Sequence, residues 1–222
     1  GCVKVSGAFS RAKHGGSRTL WEAVMGKHPS RGTGPRNAVE MLSWQEAVVV
    51  GQRATLMMRA EKLIGADEEI RLPSEAEWEY ACRAGTTTRY SFGNDASAIN
   101  EFAWHSGNAP DTYQKVGKLK PNPWGLHDMH GNVSEWVLDQ YAPPAAQAPS
   151  KLAVNPLVAP NTLYPRLVKG GSWDDGSAKH RSAARMGSNL AWKQQDPQLP
   201  PSVWYHTDAT FVGFPLARPR AI

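Results

Sequence analysis

The chain has 222 residues, of which 41% are hydrophobic, and it contains 20 glycines, 17 prolines and nine tryptophans. This length predicts a single domain spanning residues 1–222, and the composition excludes a disordered chain. Two cysteines exclude a disulfide framework, and the sequence has no run of 18 apolar residues that would span a membrane. The net charge of +5 is scattered along the chain, so we expect no nucleic-acid binding.

The first half predicts a short edge strand within residues 1–10 and then three helices. Each helix is expected to begin at a capping box, in which Ser or Thr precedes Glu by three residues. These pairs are Thr19 with Glu22, Ser43 with Glu46, and Ser74 with Glu77. Glycine is expected to end each helix, at Gly26, Gly65 and Gly85. The apolar stripe expected on the second helix comprises Trp44, Ala47, Val48, Leu56, Leu63 and Ile64.

After residue 86 the pattern changes to short extended segments separated by turn residues. Residues 133–139 predict a strand, and residues 166–173 predict another that runs into a Gly-Gly bend. Residues 142–165 predict a long surface loop, and residues 211–218 a last strand in which Pro215 marks an edge or a bulge. Because the helices come early and the strands late, we predict an α+β fold with low regular secondary structure.

The central stretch, residues 122–136 (NPWGLHDMHGNVSEW), carries two tryptophans, two glycines and several oxygen donors. Its glycines oppose a helix, so we predict a tight loop with Leu126, Met129 and Val133 pointing inward. One interpretation is a turn-rich core loop whose polar groups satisfy its own backbone. The other is a site for a hard cation such as calcium.

Several segments together resemble the formylglycine-generating (sulfatase-modifying factor) family. They are RLPSEAEWEYACRAG at 71–85, the central stretch, RLVKGGSW at 166–173 and TFVGFPLARP at 210–219. The resemblance implies a C-type-lectin-like fold with little regular structure. It also implies structural calcium bound by the central stretch, with ligands at Asn132, Glu135 and the carbonyls near Gly131 and Val133.

Active members of this family oxidise a cysteine of a sulfatase, and the resemblance implies copper held by two cysteines. This chain has Ser177 and Ser182 at those positions. A soft copper ion prefers thiolates, and a serine cannot form a mixed disulfide with a substrate thiol. We therefore expect copper to be absent and the cysteine-oxidase activity to be lost.

The segment that replaces the active site offers Ser177, His180 and Ser182 as catalytic candidates, together with His206 near the last strand. The competing interpretation is a surface loop that has lost its function. A binding groove is predicted at Trp204, Tyr205 and Asp208, which come just before the last strand.

From these features we predict a calcium-stabilised, extracytoplasmic accessory or regulatory binding protein, periplasmic or secreted, without cysteine-oxidase activity. Its partner would be a protein or a peptide-derived substrate, for example in a type VI secretion kinase pathway. The alternative is an enzyme of different chemistry on the same scaffold, such as oxidative maturation of a siderophore chromophore.

Overall fold

The computed structural model describes residues 3–6, 9–26, 36–143, 153–193 and 209–219. The α-helices are α1 (Arg18–Met25), α2 (Trp44–Ala60), α3 (Glu75–Arg83) and α4 (Ile99–Phe102). The strands are β1 (Val3–Lys4), β2 (Phe9–Arg11), β3 (Ser134–Gln140), β4 (Ala153–Val154), β5 (Arg166–Lys169), β6 (Met186–Gly187), β7 (Val212–Gly213) and β8 (Ala217–Pro219). Single-turn 3₁₀ helices occupy Ala96–Ala98, Ser177–His180 and Leu190–Lys193. The predicted α+β class with little regular structure is confirmed.

The N-cap of helix α1 lies two residues earlier than the sequence predicted. Ser17, instead of Thr19, is the N-cap, and its hydroxyl accepts a hydrogen bond from the backbone of Leu20. Ser17 also forms a bridge with Ala38, which holds its backbone in the extended conformation that an N-cap requires. Thr19 lies inside the helix, so the predicted capping box at that position is wrong.

Helix α2 begins at the predicted capping box of Ser43 and Glu46, but it ends at Ala60, before Gly65. The chain leaves the helix through Lys62, whose φ of 57° is left-handed. The predicted stripe is also wrong at two positions, because Leu56 and Leu63 are exposed. Its buried face carries small residues, and a Cβ on Gly51 would lie 2.8 Å from the carbonyl oxygen of Ile70. The helix therefore packs directly on neighbouring backbone.

Helix α3 matches its prediction at both ends. The Ser74–Glu77 capping box is complete, and the helix ends through Ala84 and Gly85, both with positive φ. Trp78 and Cys82 are fully buried on one face, as their four-residue spacing predicted.

The main sheet has four strands in the order β6-β5-β3-β7, with β3 antiparallel to β5 and parallel to β7. Two smaller sheets pair β1 with β4 and β2 with β8, so the single strand predicted within residues 1–10 is wrong. The last predicted strand divides into β7 and β8 around Pro215, in agreement with a bulge. Within the described ranges, no helix combines the length and apolar character needed to cross a bilayer.

Two hydrophobic clusters lie on opposite faces of β3. Trp136 packs into the larger cluster with α1 and α2, while Val137 packs with Trp78 and Cys82 of α3. The central stretch leads into this strand, and its Met129 and Val133 are buried as predicted. The fold thus places the central stretch, α3 and the Gly-Gly bend after β5 side by side.

Candidate functional site

The Gly-Gly bend after β5 positions the segment that would carry the family's chemistry. Gly170 and Gly171 have φ values of 95° and 70°, a left-handed conformation that favours glycine. A Cβ on Gly171 would lie 3.0 Å from the carbonyl oxygen of Lys179 and 3.2 Å from the ring of His180. The bend therefore packs tightly against the 3₁₀ turn that contains Ser177 and His180.

The structure does not join the catalytic candidates Ser177, His180 and Ser182 into a nucleophile and base. His180 is fully buried, and its ring nitrogens contact the carbonyl oxygens of Gly176 at 2.9 Å and Ser172 at 3.2 Å. Burial lowers the pKa of His180. Among the described residues, no hydrogen bond links its ring to either serine hydroxyl, so activation of a serine by His180 has no geometric support.

Ser182 lies in the interior next to the buried free thiol of Cys82. Its side chain is fully buried, and the hydroxyl has no hydrogen-bond partner of good geometry among the described residues. Burial raises the pKa of the Cys82 thiol to about 12, and this effect outweighs that of the neighbouring Ser182 hydroxyl. A protonated, buried thiol is a poor metal ligand and a poor nucleophile. Cys82 therefore does not replace the two absent cysteines.

A buried histidine of the central stretch joins this interior region to α3. His130 donates from Nδ1 to the carbonyl oxygen of His180 at 2.7 Å, and its Nε2 accepts from the Ser91 backbone at 3.1 Å. The Cys82 sulfur lies 3.8 Å from Nε2. Burial lowers the pKa of His130 to about 4, so the ring is neutral near pH 7. Both ring nitrogens are occupied by the protein.

The residues present do not fit copper. Ser177 and Ser182, where the resemblance implies thiols, carry hydroxyls, and burial keeps the Cys82 thiol protonated. In the described part of the chain, His, Cys, Asp and Glu side chains form no group of three that could hold a metal ion. Asp175, which follows the bend, instead accepts from the Ser172 backbone at 3.0 Å and from Lys179 at 2.7 Å.

Of the four predicted calcium positions, Gly131, Asn132 and Val133 lie in the loop before β3, and Glu135 lies in β3 itself. The two side chains predicted as ligands, those of Asn132 and Glu135, have separate partners in the protein. Asn132 accepts from the Gln114 backbone at 2.7 Å and donates to its carbonyl at 3.0 Å. Gly131, with a φ of 149°, packs against the Trp104 carbonyl, and Val133 is buried in a hydrophobic cluster.

Glu135 forms the strongest of these contacts, a buried ion pair with Arg11 in which both side chains are only 2% exposed. The same carboxylate oxygen accepts a 2.6 Å hydrogen bond from the indole of Trp78. As it lies, the Glu135 carboxylate is not free for a calcium ion, because the Arg11 guanidinium already balances its charge. Calcium binding by this loop stays a prediction, and the chelation experiment in the Discussion tests it.

The remaining predicted site residues, His206, Trp204, Tyr205 and Asp208, lie outside the described residues. The sequence interpretation missed a pocket on the other face of the main sheet. We name it the Trp44–Arg166 pocket, after two of its residues; its other main walls are Trp136, Tyr164, Ser188 and Trp192. Four separate segments supply these residues. One feature of the sequence could have indicated this pocket: tryptophans recur near the starts of strands and helices.

Comparison with known proteins places this arrangement in a family. Residues 3–196 match the model of the sulfatase-modifying factor enzyme 1-like domain. The formylglycine-generating enzyme of Streptomyces coelicolor is 31% identical over 189 residues, which cover 74% of this chain and 54% of that protein. The inactive C-alpha-formylglycine-generating enzyme 2 of Bos taurus is 30% identical over 190 residues, which cover 77% of this chain and 52% of that protein.

The chain thus spans about half the length of these curated relatives. Treponema denticola variable protein 1 has the same fold, with a TM-score of 0.78 at 24% identity, covering 98% of this chain and 86% of that chain. These findings confirm the predicted fold class and the resemblance on which it rested. The chain belongs to the formylglycine-generating enzyme, or sulfatase-modifying factor, family.

Proposed function

We propose that this chain is an accessory or regulatory binding protein, which keeps the family scaffold without cysteine-oxidase activity. The observation that carries this proposal is the replacement of both thiols by Ser177 and Ser182. Without thiolates, the segment can neither hold a soft copper ion nor form a disulfide with a substrate cysteine. The buried Cys82 offers no substitute, because its thiol is protonated and enclosed.

One relative is named as an inactive enzyme. Its name supports the proposal that this scaffold can take a non-catalytic role. We further propose that the partner is an extracytoplasmic protein or peptide and that the protein is periplasmic or secreted, for example within a kinase-controlled secretion pathway. The scattered net charge of +5 favours an acidic partner.

The test is to measure copper binding and the oxidation of a cysteine-containing sulfatase peptide, with an active family member as the positive control. We expect the wild-type chain to bind no stoichiometric copper and to leave the peptide unchanged. The matched variant is the double substitution Ser177→Cys and Ser182→Cys, which is expected to regain copper affinity. Peptide oxidation by the wild-type chain would overturn the proposal.

An enzyme of different chemistry on the same scaffold is the competing function. Its oxidative form, such as maturation of a siderophore chromophore, would require a redox metal or another cofactor that remains after dialysis. Metal analysis of the purified wild-type protein separates the two functions, because a stoichiometric iron or copper ion would favour the enzyme.

A further inference from the structure

The Trp44–Arg166 pocket lies between the start of α2, strand β3, the start of β5 and the 3₁₀ turn at Leu190–Lys193. The space within and in front of its walls measures about 350 Å³ and includes open solvent, so the enclosed part is small. Trp136 is the buried wall of this pocket, and Trp44, Trp192 and Tyr164 line it as partly exposed residues. Trp136, the last residue of the central stretch, lines the pocket, whereas neither glycine of the Gly-Gly bend does.

The aromatic walls are fixed by hydrogen bonds and ring contacts. The Trp44 indole donates to the carbonyl oxygen of Val137 at 2.7 Å, and the Trp136 indole donates to that of Leu42 at 3.1 Å. The rings of Trp136 and Trp192 lie 5.8 Å apart. Because both inner indole N–H groups are satisfied, these rings present rigid apolar faces to the space between them.

Arg166 places a positive charge against these walls. The guanidinium carbon lies 4.1 Å from the centroid of the Trp44 ring, a cation–π arrangement, and the residue is 9% exposed. Among the described residues, its side chain has one weak hydrogen bond, of 3.3 Å, which it donates to the amide oxygen of Gln140. The Nε–H group is buried and has no partner among the described residues.

Arg166 differs from three other cations whose side chains are mostly buried, because each of those has a described carboxylate partner. Arg11 pairs with Glu135, Lys169 contacts Glu79 at 3.2 Å, and Arg185 pairs with Glu75 at 2.6 Å. No described carboxylate forms an ion pair with Arg166. A buried charge without a counter-ion costs free energy, and a bound anion would offset that cost.

We propose that the Trp44–Arg166 pocket binds a carboxylate carried by an acidic peptide segment of a partner. The planar guanidinium would donate hydrogen bonds to the carboxylate, and the neighbouring part of the peptide would pack on Trp192 and Tyr164. This assignment deepens the proposed binding function and rests on it for the peptide nature of the ligand. The free space suits one small anionic group, with the rest of the peptide remaining at the mouth.

The experiment is a titration of the full chain with N-acetyl-phenylalanyl-glutamate amide, followed by the indole N–H signals of ¹⁵N-labelled protein and by calorimetry. The glutamine analogue of the same peptide is the uncharged control. We expect the acidic peptide to shift the indole signals of Trp44 and Trp192 and to bind at least about tenfold more tightly than the glutamine analogue. Equal binding of the two peptides, or no shift with either, would overturn the proposal.

Variants then locate the site. Arg166→Gln removes the charge and should weaken binding of the acidic peptide at least about tenfold, with little change for the glutamine analogue. Since Arg166 is buried and this variant can fail to fold, Trp192→Ala at the mouth provides a second test with the same expected loss. Trp124→Ala is the matched control, because Trp124 is 47% exposed and packs on Tyr80 outside the pocket. Loss of binding in the control, or its retention in Trp192→Ala, would contradict the assignment.

A third arm identifies the class of anion. Inorganic phosphate that displaced the acidic peptide at similar concentration would show a general anion site and overturn the carboxylate assignment, whereas resistance to phosphate supports it. None of these results bears on copper or peptide oxidation, so failure here leaves the proposed loss of oxidase activity to its own experiment.

Discussion

The buried ion pair between Arg11 and Glu135 gives the sharpest prediction, because it decides what balances the charge of the central loop. Both side chains are 2% exposed, and Trp78 donates to the same carboxylate. Removing one partner of a buried pair leaves an uncompensated charge and costs about 3–5 kcal/mol. For 222 residues at roughly 2.1 cal/mol/K of unfolding entropy each, this loss lowers the melting temperature by roughly 6–11 °C.

Glu135→Gln is the first perturbation, because glutamine keeps the shape and an acceptor for Trp78 but leaves Arg11 unpaired. Arg11→Met removes the other charge, and the double variant removes both. We expect each single variant to lose about 3–5 kcal/mol and the double variant to lose clearly less than their sum, since neither charge then remains buried alone. Urea unfolding followed by circular dichroism measures all four proteins.

The matched control for this cycle is Glu101→Gln. Glu101 pairs with Lys120 at the surface, where the side chains are 50% and 63% exposed, so its loss should cost less than about 1 kcal/mol. Strictly additive losses from the two buried substitutions, or a cost for Glu135→Gln as small as that of the control, would refute the buried-pair reasoning.

Chelation tests the calcium prediction with the same proteins. If Arg11 balances Glu135, EGTA leaves the melting temperature of the wild type unchanged. If calcium does so, EGTA lowers that temperature, calcium restores it, and Glu135→Gln removes the response. The Arg11–Glu135 pair favours the first result, and the second would bear out the predicted calcium site.

Three further substitutions test local features by urea unfolding. Burial raises the pKa of Asp128 from 3.8 to about 6, so the stability that its proton provides below pH 4 is lost as the pH rises through 6. Asp128→Asn should therefore gain up to about 3 kcal/mol relative to the wild type between about pH 4 and 7, and parallel pH curves would contradict this. Gly51→Ala should lower the free energy of unfolding by roughly 1–3 kcal/mol, because its Cβ would meet the Ile70 carbonyl oxygen. The helix propensity of alanine opposes this loss, and a stabilised variant would refute the close packing. Ser74→Ala should cost about 1 kcal/mol through loss of the helix cap, and an unchanged free energy of unfolding would count against the cap.

Features set by neighbouring residues could be predicted from the sequence, and the capping boxes show how far this reaches. Ser43 and Ser74 lie within three residues of their Glu partners, so the whole motif is local, and both predictions were correct. At α1 the sequence offers both Ser17 and Thr19. The choice depends on the bridge from Ser17 to Ala38, which is a tertiary contact.

The stripe on α2 could not be predicted for a similar reason. The sequence interpretation assigned large apolar side chains to the buried face, including Leu56 and Leu63. The structure buries small residues there, because the helix packs on the backbone of Ile70 through Gly51. How closely two segments approach is a property of the assembled fold, and a single sequence does not display it.

The site shows the same division between local motif and assembled geometry. The replacement of thiols by Ser177 and Ser182 can be read directly, because it concerns which atoms are present. The contacts of Glu135 could not be anticipated, because its partner Arg11 lies 124 positions earlier in the chain. The Trp44–Arg166 pocket likewise depends on residues that only the fold brings together.

The proposed loss of oxidase chemistry and the proposed peptide binding therefore rest on different parts of the molecule. Ser182 lies beside Cys82 of α3, whereas Arg166 lies against Trp44 on the other side of the main sheet. If this separation holds, the Ser177→Cys and Ser182→Cys substitutions change copper affinity and leave acidic-peptide binding unchanged, while Trp192→Ala does the reverse. If each set of substitutions changed both copper affinity and peptide binding, the two regions would form one site. The chain would then be regarded as an altered enzyme.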